Sequence, residues 1–153
     1  MSDRVVGTYR HFAVLSCAFL RHRGIPARAR CGFASYFVAD SFLDHWILEY
    51  RRPIDERWVQ VDPEILGFDF VRTPEDLVRG EFLSGGEAWT LCRRGEADPS
   101  RFGVLGVPYA WGIAEVRGNA VRNLAATCAS NDESAIEQLY ATEDLAVPPP
   151  MLV

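Results

Sequence analysis

The apolar positions near the start of the chain follow a helical period and end at a glycine. Residues 10–23, RHFAVLSCAFLRHR, carry apolar side chains on most sides of a helix, and Gly24 supplies a stop signal. Thr8 stands just before this run as an N-cap residue. Because a helix with apolar side chains on most sides has few polar groups to face water, the pattern predicts a buried N-terminal helix.

Three runs with period-two alternation follow Pro26, and they predict strands because side chains in a strand point alternately to the two faces of a sheet. The runs are residues 27–38, 44–50 and 57–62. The last two flank RRPIDE, in which Pro53 and Asp55 favour a turn. This arrangement predicts a β-hairpin in a small antiparallel sheet.

The second half of the chain is rich in helix signals. One helix is predicted to begin at Thr73-Pro74 and another to follow a capping box at 130–133. Two more are predicted over 87–94, after a break at Gly85-Gly86, and over 118–128, with a turn at Asp98-Pro99 between them. The ending AVPPPMLV predicts an extended tail. The whole pattern predicts a single α+β domain over 1–153, with a core at 4–66, a helical region at 73–145 and a tail at 146–153.

Composition and charge narrow the function classes. The 153 residues are 48% hydrophobic and 24% charged, as in an ordinary globular domain, and no apolar run approaches the roughly 18 residues of a membrane span. The start of the chain lacks a signal-peptide pattern, so we expect a cytoplasmic protein that does not bind membranes. The net charge of −5, with arginine as the only basic residue besides histidine, gives no reason to expect nucleic acid as a partner.

The cysteines and histidines do not form a metal-binding pattern. Four cysteines are widely and irregularly spaced, and the three histidines supply none of the usual ligand pairs. We therefore expect reduced thiols that pack as small apolar groups, with no metal and no cofactor. Arg28 and Arg30 alternate along the first predicted strand, where they form a solvated face or reach a substrate carboxylate.

The predicted hairpin brings a histidine and a carboxylate together. Pairing about a turn centred on Pro53 and Ile54 places His45 opposite Asp62, and directly opposed side chains have Cβ atoms about 4.5–5.5 Å apart. A carboxylate at that distance can fix the imidazole tautomer, as the base and its orienting group do in a catalytic triad. A surface pair with no catalytic role is the alternative, and a one-residue slip would separate the two side chains.

The order and spacing of these motifs resemble a known family. The run GTYRHFAVLSCAFLRHRGIPARARCGF, followed by DHWILEY and RWVQVDPE, resembles the bacterial transglutaminase-like proteins of the papain-like superfamily over roughly residues 4–62. The resemblance implies a transglutaminase-like core, with the N-terminal helix packed on the antiparallel sheet. It also implies that His45 is the catalytic base and that Asp62 orients it.

The nucleophile position departs from that family. Its members typically read Gly-x-Cys-Arg-(Asp/His)-Phe where this chain reads Gly7-Thr8-Tyr9-Arg10-His11-Phe12, so Tyr9 stands where the cysteine is expected. A phenol with an ordinary pKa near 10 is a weak nucleophile, and its ring is larger than a thiol. Cys17 lies more than two helical turns further on, and we expect Cys17 and Cys31 to pack in the core.

Several functions are compatible with this degenerate triad. The domain is a pseudoenzyme that binds a ligand, or Tyr9, His45 and Asp62 perform acid/base chemistry on a small molecule without a covalent intermediate. Alternatively the natural protein is a cysteine-dependent amide or acyl transferase or hydrolase, of which this chain is a variant. A structural or assembly subunit is the competing class.

Three residues near the candidate triad are candidates for contacts with a ligand. Arg10 at the helix start, Trp46 beside His45 and Gln60 on the Asp62 strand are candidate residues for binding a small-molecule or peptide ligand. Relatives of this kind usually carry sequence upstream of the nucleophile helix, whereas eight residues precede Tyr9 here. We therefore expect that a second copy or a partner chain could complete the cleft.

Overall fold

The computed structural model of the protein describes residues 7–128, in which three helices surround a small sheet. In chain order the elements are α1 (Tyr9–His22), β1 (Ala27–Ala34), β2 (Phe42–Arg51), β3 (Trp58–Val61), β4 (Phe82–Ser84), α2 (Gly85–Arg93), a 3₁₀ turn (Pro99–Arg101), β5 (Phe102–Gly103) and α3 (Ile113–Cys128). The predicted capping box at 130–133 and the tail at 146–153 lie outside the described residues. None of the helices in 7–128 is both long and apolar enough to cross a membrane.

The sheet has the order β3-β2-β1-β4 with antiparallel neighbours, and the short β5 adds to β2 in parallel. The α+β class predicted from the sequence is therefore confirmed. The predicted hairpin forms from β2 and β3, but its register differs by two residues from the predicted one, since Leu48 lies opposite Val61. The first strand ends at Ala34 rather than at residue 38.

Helix α1 is less buried than its composition predicts. Only Ala13 and Cys17 are buried, and they face the sheet, where Cys17 packs in a cluster with Leu48. On the outer side the apolar side chains lie in solvent, and Phe19 is 64% exposed. The prediction of a helix buried on most sides is wrong, because α1 meets the core along one side only, where Tyr9 and Leu20 pack partly buried beside Ala13 and Cys17.

The segment between β3 and β4 also differs from the prediction. Residues 62–81 contain turns and bends instead of the helix predicted from Thr73-Pro74. The backbone there bonds to the hairpin, because Leu77 N donates to Gln60 O at 2.9 Å and Asp62 N donates to Pro74 O at 2.9 Å. These long-range bonds use the groups that a helix would have paired within itself.

Two predicted helices in the second half form with shifted starts. Helix α2 begins at Gly85, so the Gly85-Gly86 pair opens the helix and does not break it, and Ser84 with Glu87 forms a capping box. Gly85 is required there because a Cβ atom would lie 2.2 Å from the backbone oxygen of Asn119 in α3. Helix α3 begins at Ile113, before the predicted start at 118.

Candidate functional site

The predicted pair of His45 and Asp62 forms, and both side chains are buried. His45 Nε2 and Asp62 Oδ2 are 2.7 Å apart, and the two residues are 2% and 0% exposed. The predicted proximity is thus confirmed although the register is wrong. A shift of two residues keeps side chains on the same face, so residues predicted to be opposed become diagonal neighbours.

Asp62 is held by more than the histidine. The Tyr36 hydroxyl donates to Asp62 Oδ2 at 2.5 Å, and the backbone N–H of Glu64 donates to Oδ1 at 3.0 Å. Burial, followed by the Asp62 charge, raises the pKa of Tyr36 well above its ordinary value, so its hydroxyl remains a donor. Asp62 therefore accepts three hydrogen bonds and is fixed in place.

The other side of His45 is closed by a carboxylate and aromatic rings. His45 Nδ1 lies 3.9 Å from Glu64 Oε2, and desolvation raises the pKa of that glutamate. The ring centroids of Tyr9 and Phe37 each lie 5.0 Å from that of His45. A substrate atom could reach the imidazole only if these aromatic side chains moved.

Tyr9 lies beside His45, but its hydroxyl is bound elsewhere. The hydroxyl donates to Asp44 Oδ2 at 2.8 Å, and Asp44 Oδ1 lies 3.6 Å from the Arg122 guanidinium of α3. Burial, followed by the Asp44 charge, raises the pKa of Tyr9 above its ordinary value. The three predicted catalytic residues are therefore close together, while the hydrogen bond that the Tyr9 hydroxyl makes within 7–128 is with Asp44.

The two cysteines nearest this region are core residues. Cys17 is buried in the α1–sheet contact, and burial raises its pKa to about 11. Cys31 is fully buried and donates to Asn119 Oδ1, and burial raises its pKa to about 12. Both thiols stay protonated at neutral pH, as expected for structural cysteines.

The three candidate ligand-binding residues lie in two different places. Arg10 sits over the Trp46 ring at 5.2 Å, and both line a groove of about 320 Å³ between α1, the sheet and α3. We call this the α1 groove. Gln60 instead donates its amide to Glu49 Oε1 at 2.9 Å and lines a separate cavity. The structure therefore separates Gln60 from Arg10 and Trp46, because its amide is bound to Glu49 and it lines a different cavity.

The two arginines of the first strand share one carboxylate partner. Arg28 Nε lies 2.7 Å and Arg30 Nη1 3.4 Å from Glu49 Oε2. Glu49 lies directly opposite Arg28 in the β1–β2 pairing, which explains the contact. That solvated-face interpretation is therefore wrong for Arg30, whose side chain is only 15% exposed.

Sequence reasoning missed four residues of the site, namely Tyr36, Asp44, Glu64 and Arg122. Asp44 carries the clearest missed signal, since a charged residue that opens an apolar strand beside a candidate base needs a partner. The others come from loops or from α3, and no local spacing connects them with His45. Within 7–128 no group of three or more His, Cys, Asp or Glu residues is placed to hold a metal ion.

Comparison with protein families identifies the segment that carries this site. Residues 2–63 match the transglutaminase-like superfamily. The matched segment contains Tyr9, His45 and Asp62, and the α+β fold is consistent with a transglutaminase-like or papain-like core. Neither the search of curated proteins nor that of solved structures returned a match.

Proposed function

We propose that this chain is a pseudoenzyme with a transglutaminase-like core, which binds a small-molecule or peptide ligand and does not perform thiol-dependent acyl transfer. The observation that carries the proposal is the hydrogen bond from the Tyr9 hydroxyl to Asp44. The group at the expected nucleophile position is therefore engaged in a structural contact. The proposal places the protein in the cytoplasm.

The chemistry of the available nucleophiles supports this proposal. Covalent acyl transfer needs an activated nucleophile, and a cysteine reacts as its thiolate. The raised pKa of Tyr9 keeps its phenol neutral. Cys17 and Cys31 are buried with raised pKa values, so neither supplies a thiolate at neutral pH.

The state of the base also supports a loss of catalysis. A general base must come within hydrogen-bond reach of the proton that it removes. His45 is 2% exposed, Nε2 is bound to Asp62, and Nδ1 faces Glu64. The pair then acts as a fixed connection between β2 and the segment after β3.

The α1 groove is the ligand site that this proposal favours. Arg10 offers a cation at its edge, and Trp46 with Val14 and Ala18 offers apolar surface. A ligand that combines an anionic group with an apolar part matches this lining.

Acid/base chemistry by Tyr9, His45 and Asp62 is the second candidate function. It is favoured by the 5.0 Å packing of the Tyr9 and His45 rings together with the 2.7 Å contact between His45 and Asp62. This reaction would require Phe37 to move away from His45, so that a substrate could enter.

Turnover measurements separate the two functions. We would assay amide and ester hydrolysis and amine transfer by the intact chain, with and without iodoacetamide, and compare His45→Gln and Tyr9→Phe. The pseudoenzyme predicts background rates that neither the variants nor the reagent change. A turnover that both variants lose but iodoacetamide leaves unchanged would replace it with the acid/base function.

A further inference from the structure

A second cavity lies on the sheet away from the Tyr9–His45–Asp62 group. It measures about 880 Å³ and is bounded by strands β1, β2, β3 and β4 and by helices α2 and α3. Its lining includes Arg30, Glu49, Asn123, Glu87 and Arg79. We call it the sheet cavity.

Arginines outnumber carboxylates in the lining of the sheet cavity, which contains three arginines and two glutamates. Glu49 is 5% exposed, and both Arg28 and Arg30 direct their guanidinium groups at its Oε2 atom. Arg28 is the nearer of the two at 2.7 Å, against 3.4 Å for Arg30. One carboxylate therefore pairs with two guanidinium groups, and the contact with Arg30 is the longer of the two.

Two of the residues that line the cavity each carry a buried polar atom that has no hydrogen-bond partner among the described residues. These atoms are Arg30 Nε and Asn123 Oδ1, a donor and an acceptor. Asn123 is 8% exposed and lies on α3, which packs against β1. Such groups are usually paired in folded proteins, so their occurrence together in one cavity wall points to a bound molecule.

The remaining charged groups leave the positive surplus at the rim of the cavity. Glu87 Oε2 accepts hydrogen bonds from Ser84 N and Oγ at the start of α2, and its negative charge also acts on Arg30. Arg57 at the rim is paired with Asp76. Arg79 is exposed and forms no ion pair within residues 7–128.

We propose that the sheet cavity binds a small organic anion that also carries a hydrogen-bond donor, such as a hydroxycarboxylate. Its carboxylate pairs with Arg30, with Arg79 as a second cation at the rim. Its hydroxyl donates to the amide oxygen of Asn123. This site goes beyond the proposed pseudoenzyme function, since it shares no residue with the α1 groove or with the degenerate triad.

The supporting energetics are consistent with the geometry. Burial lowers the pKa of Arg30 from its ordinary value, which reflects incomplete compensation of its charge. A carboxylate in this position would form a charge-assisted hydrogen bond, the stronger class of hydrogen bond in proteins.

Calorimetric titration of the intact chain tests the site with three probes. Malate carries the carboxylates and the hydroxyl, succinate lacks the hydroxyl, and malamide is uncharged. We expect malate to bind most tightly, succinate about fivefold more weakly, and malamide at least about tenfold more weakly, because charged pairs contribute most. Equal affinities for malate and malamide, or no binding of malate at tens of millimolar, would overturn the proposal.

Matched arginine variants locate the binding site. Arg30→Gln should weaken malate binding at least about tenfold, whereas Arg28→Gln should change it by less than about threefold. Arg28 is the control because it contacts the same Glu49 but does not line the cavity. Equal losses in the two variants would contradict the assignment of Arg30.

Two further variants keep the test decisive. If Arg30→Gln fails to fold, as judged by circular dichroism, the exposed Arg79→Gln should still weaken malate binding about threefold. Arg10→Gln alters the α1 groove and should leave malate affinity unchanged. Loss of binding in Arg10→Gln alone would place the anion in the α1 groove and refute the sheet-cavity site, independently of the turnover assays.

Discussion

Replacing Tyr9 with phenylalanine tests whether its hydroxyl supports the fold through Asp44. The substitution keeps the ring that packs on His45 and removes only the donor 2.8 Å from Asp44 Oδ2. Asp44 has a side chain only 10% exposed, and its Oδ1 atom has no hydrogen-bond partner among the described residues. Its remaining contact is the ion pair with Arg122 at 3.6 Å.

The expected loss follows from the charge and burial of the acceptor. A hydrogen bond to a charged group contributes roughly 1.5–3 kcal/mol, and the substitution leaves a buried carboxylate oxygen short of a donor. We therefore expect Tyr9→Phe to lower the free energy of unfolding by about 2 kcal/mol. With a urea slope of about 2 kcal/mol per molar, the unfolding midpoint should fall by about 1 M.

The same contact makes the stability difference depend on pH. The pKa of Tyr9 is raised in the folded protein, because its neutral form is the one that burial and Asp44 favour. Its stabilisation is then fully present below the unfolded pKa of about 10 and is lost as pH rises above that value towards the folded pKa. The difference between wild type and Tyr9→Phe should therefore shrink above about pH 10.

Urea unfolding followed by circular dichroism at pH 7 and at pH 10–11 measures both effects. Tyr109→Phe is the matched control, because Tyr109 is 92% exposed and its change should stay within about 0.5 kcal/mol. If Tyr9→Phe were as stable as Tyr109→Phe at pH 7, the contact with Asp44 would not stabilise the fold. The main support for the pseudoenzyme proposal would then be lost.

Two further substitutions test the site and the fold. Asp62→Ala removes the acceptor of His45 and Tyr36 and should lower the free energy of unfolding by about 3 kcal/mol in the same urea assay; a loss under about 1 kcal/mol would refute a structural role for the pair. Gly85→Ala places a methyl group against the α3 backbone and should cost about 3 kcal/mol or prevent folding, whereas Gly86→Ala meets open space and should be neutral or slightly stabilising. Equal melting temperatures of these two glycine variants would contradict the close α2–α3 contact.

The proximity of His45 and Asp62 could be predicted from the sequence because it depends on local patterns. The sequence segments that contain His45 and Asp62 show period-two alternation, and a hairpin keeps its two faces distinct even when the register shifts by an even number of residues. The observed shift of two residues therefore changed the pairing but kept both side chains on one face. The motif resemblance placed Tyr9 at the helix start, beside His45.

The errors occurred where long-range contacts override local preference. The Thr73-Pro74 signal for a helix was sound locally, but backbone bonds to Asp62 and Gln60 hold that segment along the hairpin. Composition alone also could not show which side of α1 meets the sheet. The two fully buried side chains of α1 are the small Ala13 and Cys17, whereas Val14, Leu15 and Phe19 are exposed.

The sequence by itself determined the α+β class, the hairpin and the absence of a thiol at the helix start, because these depend on residue identity and short-range periodicity. Only the tertiary structure decided what the Tyr9 hydroxyl does. Its partner Asp44 lies 35 positions away on β2, and Arg122 approaches from α3. Whether the Tyr9 hydroxyl is reactive or structural depends on the charges around it and on how much water is excluded from it. Both depend on packing between distant segments of the chain.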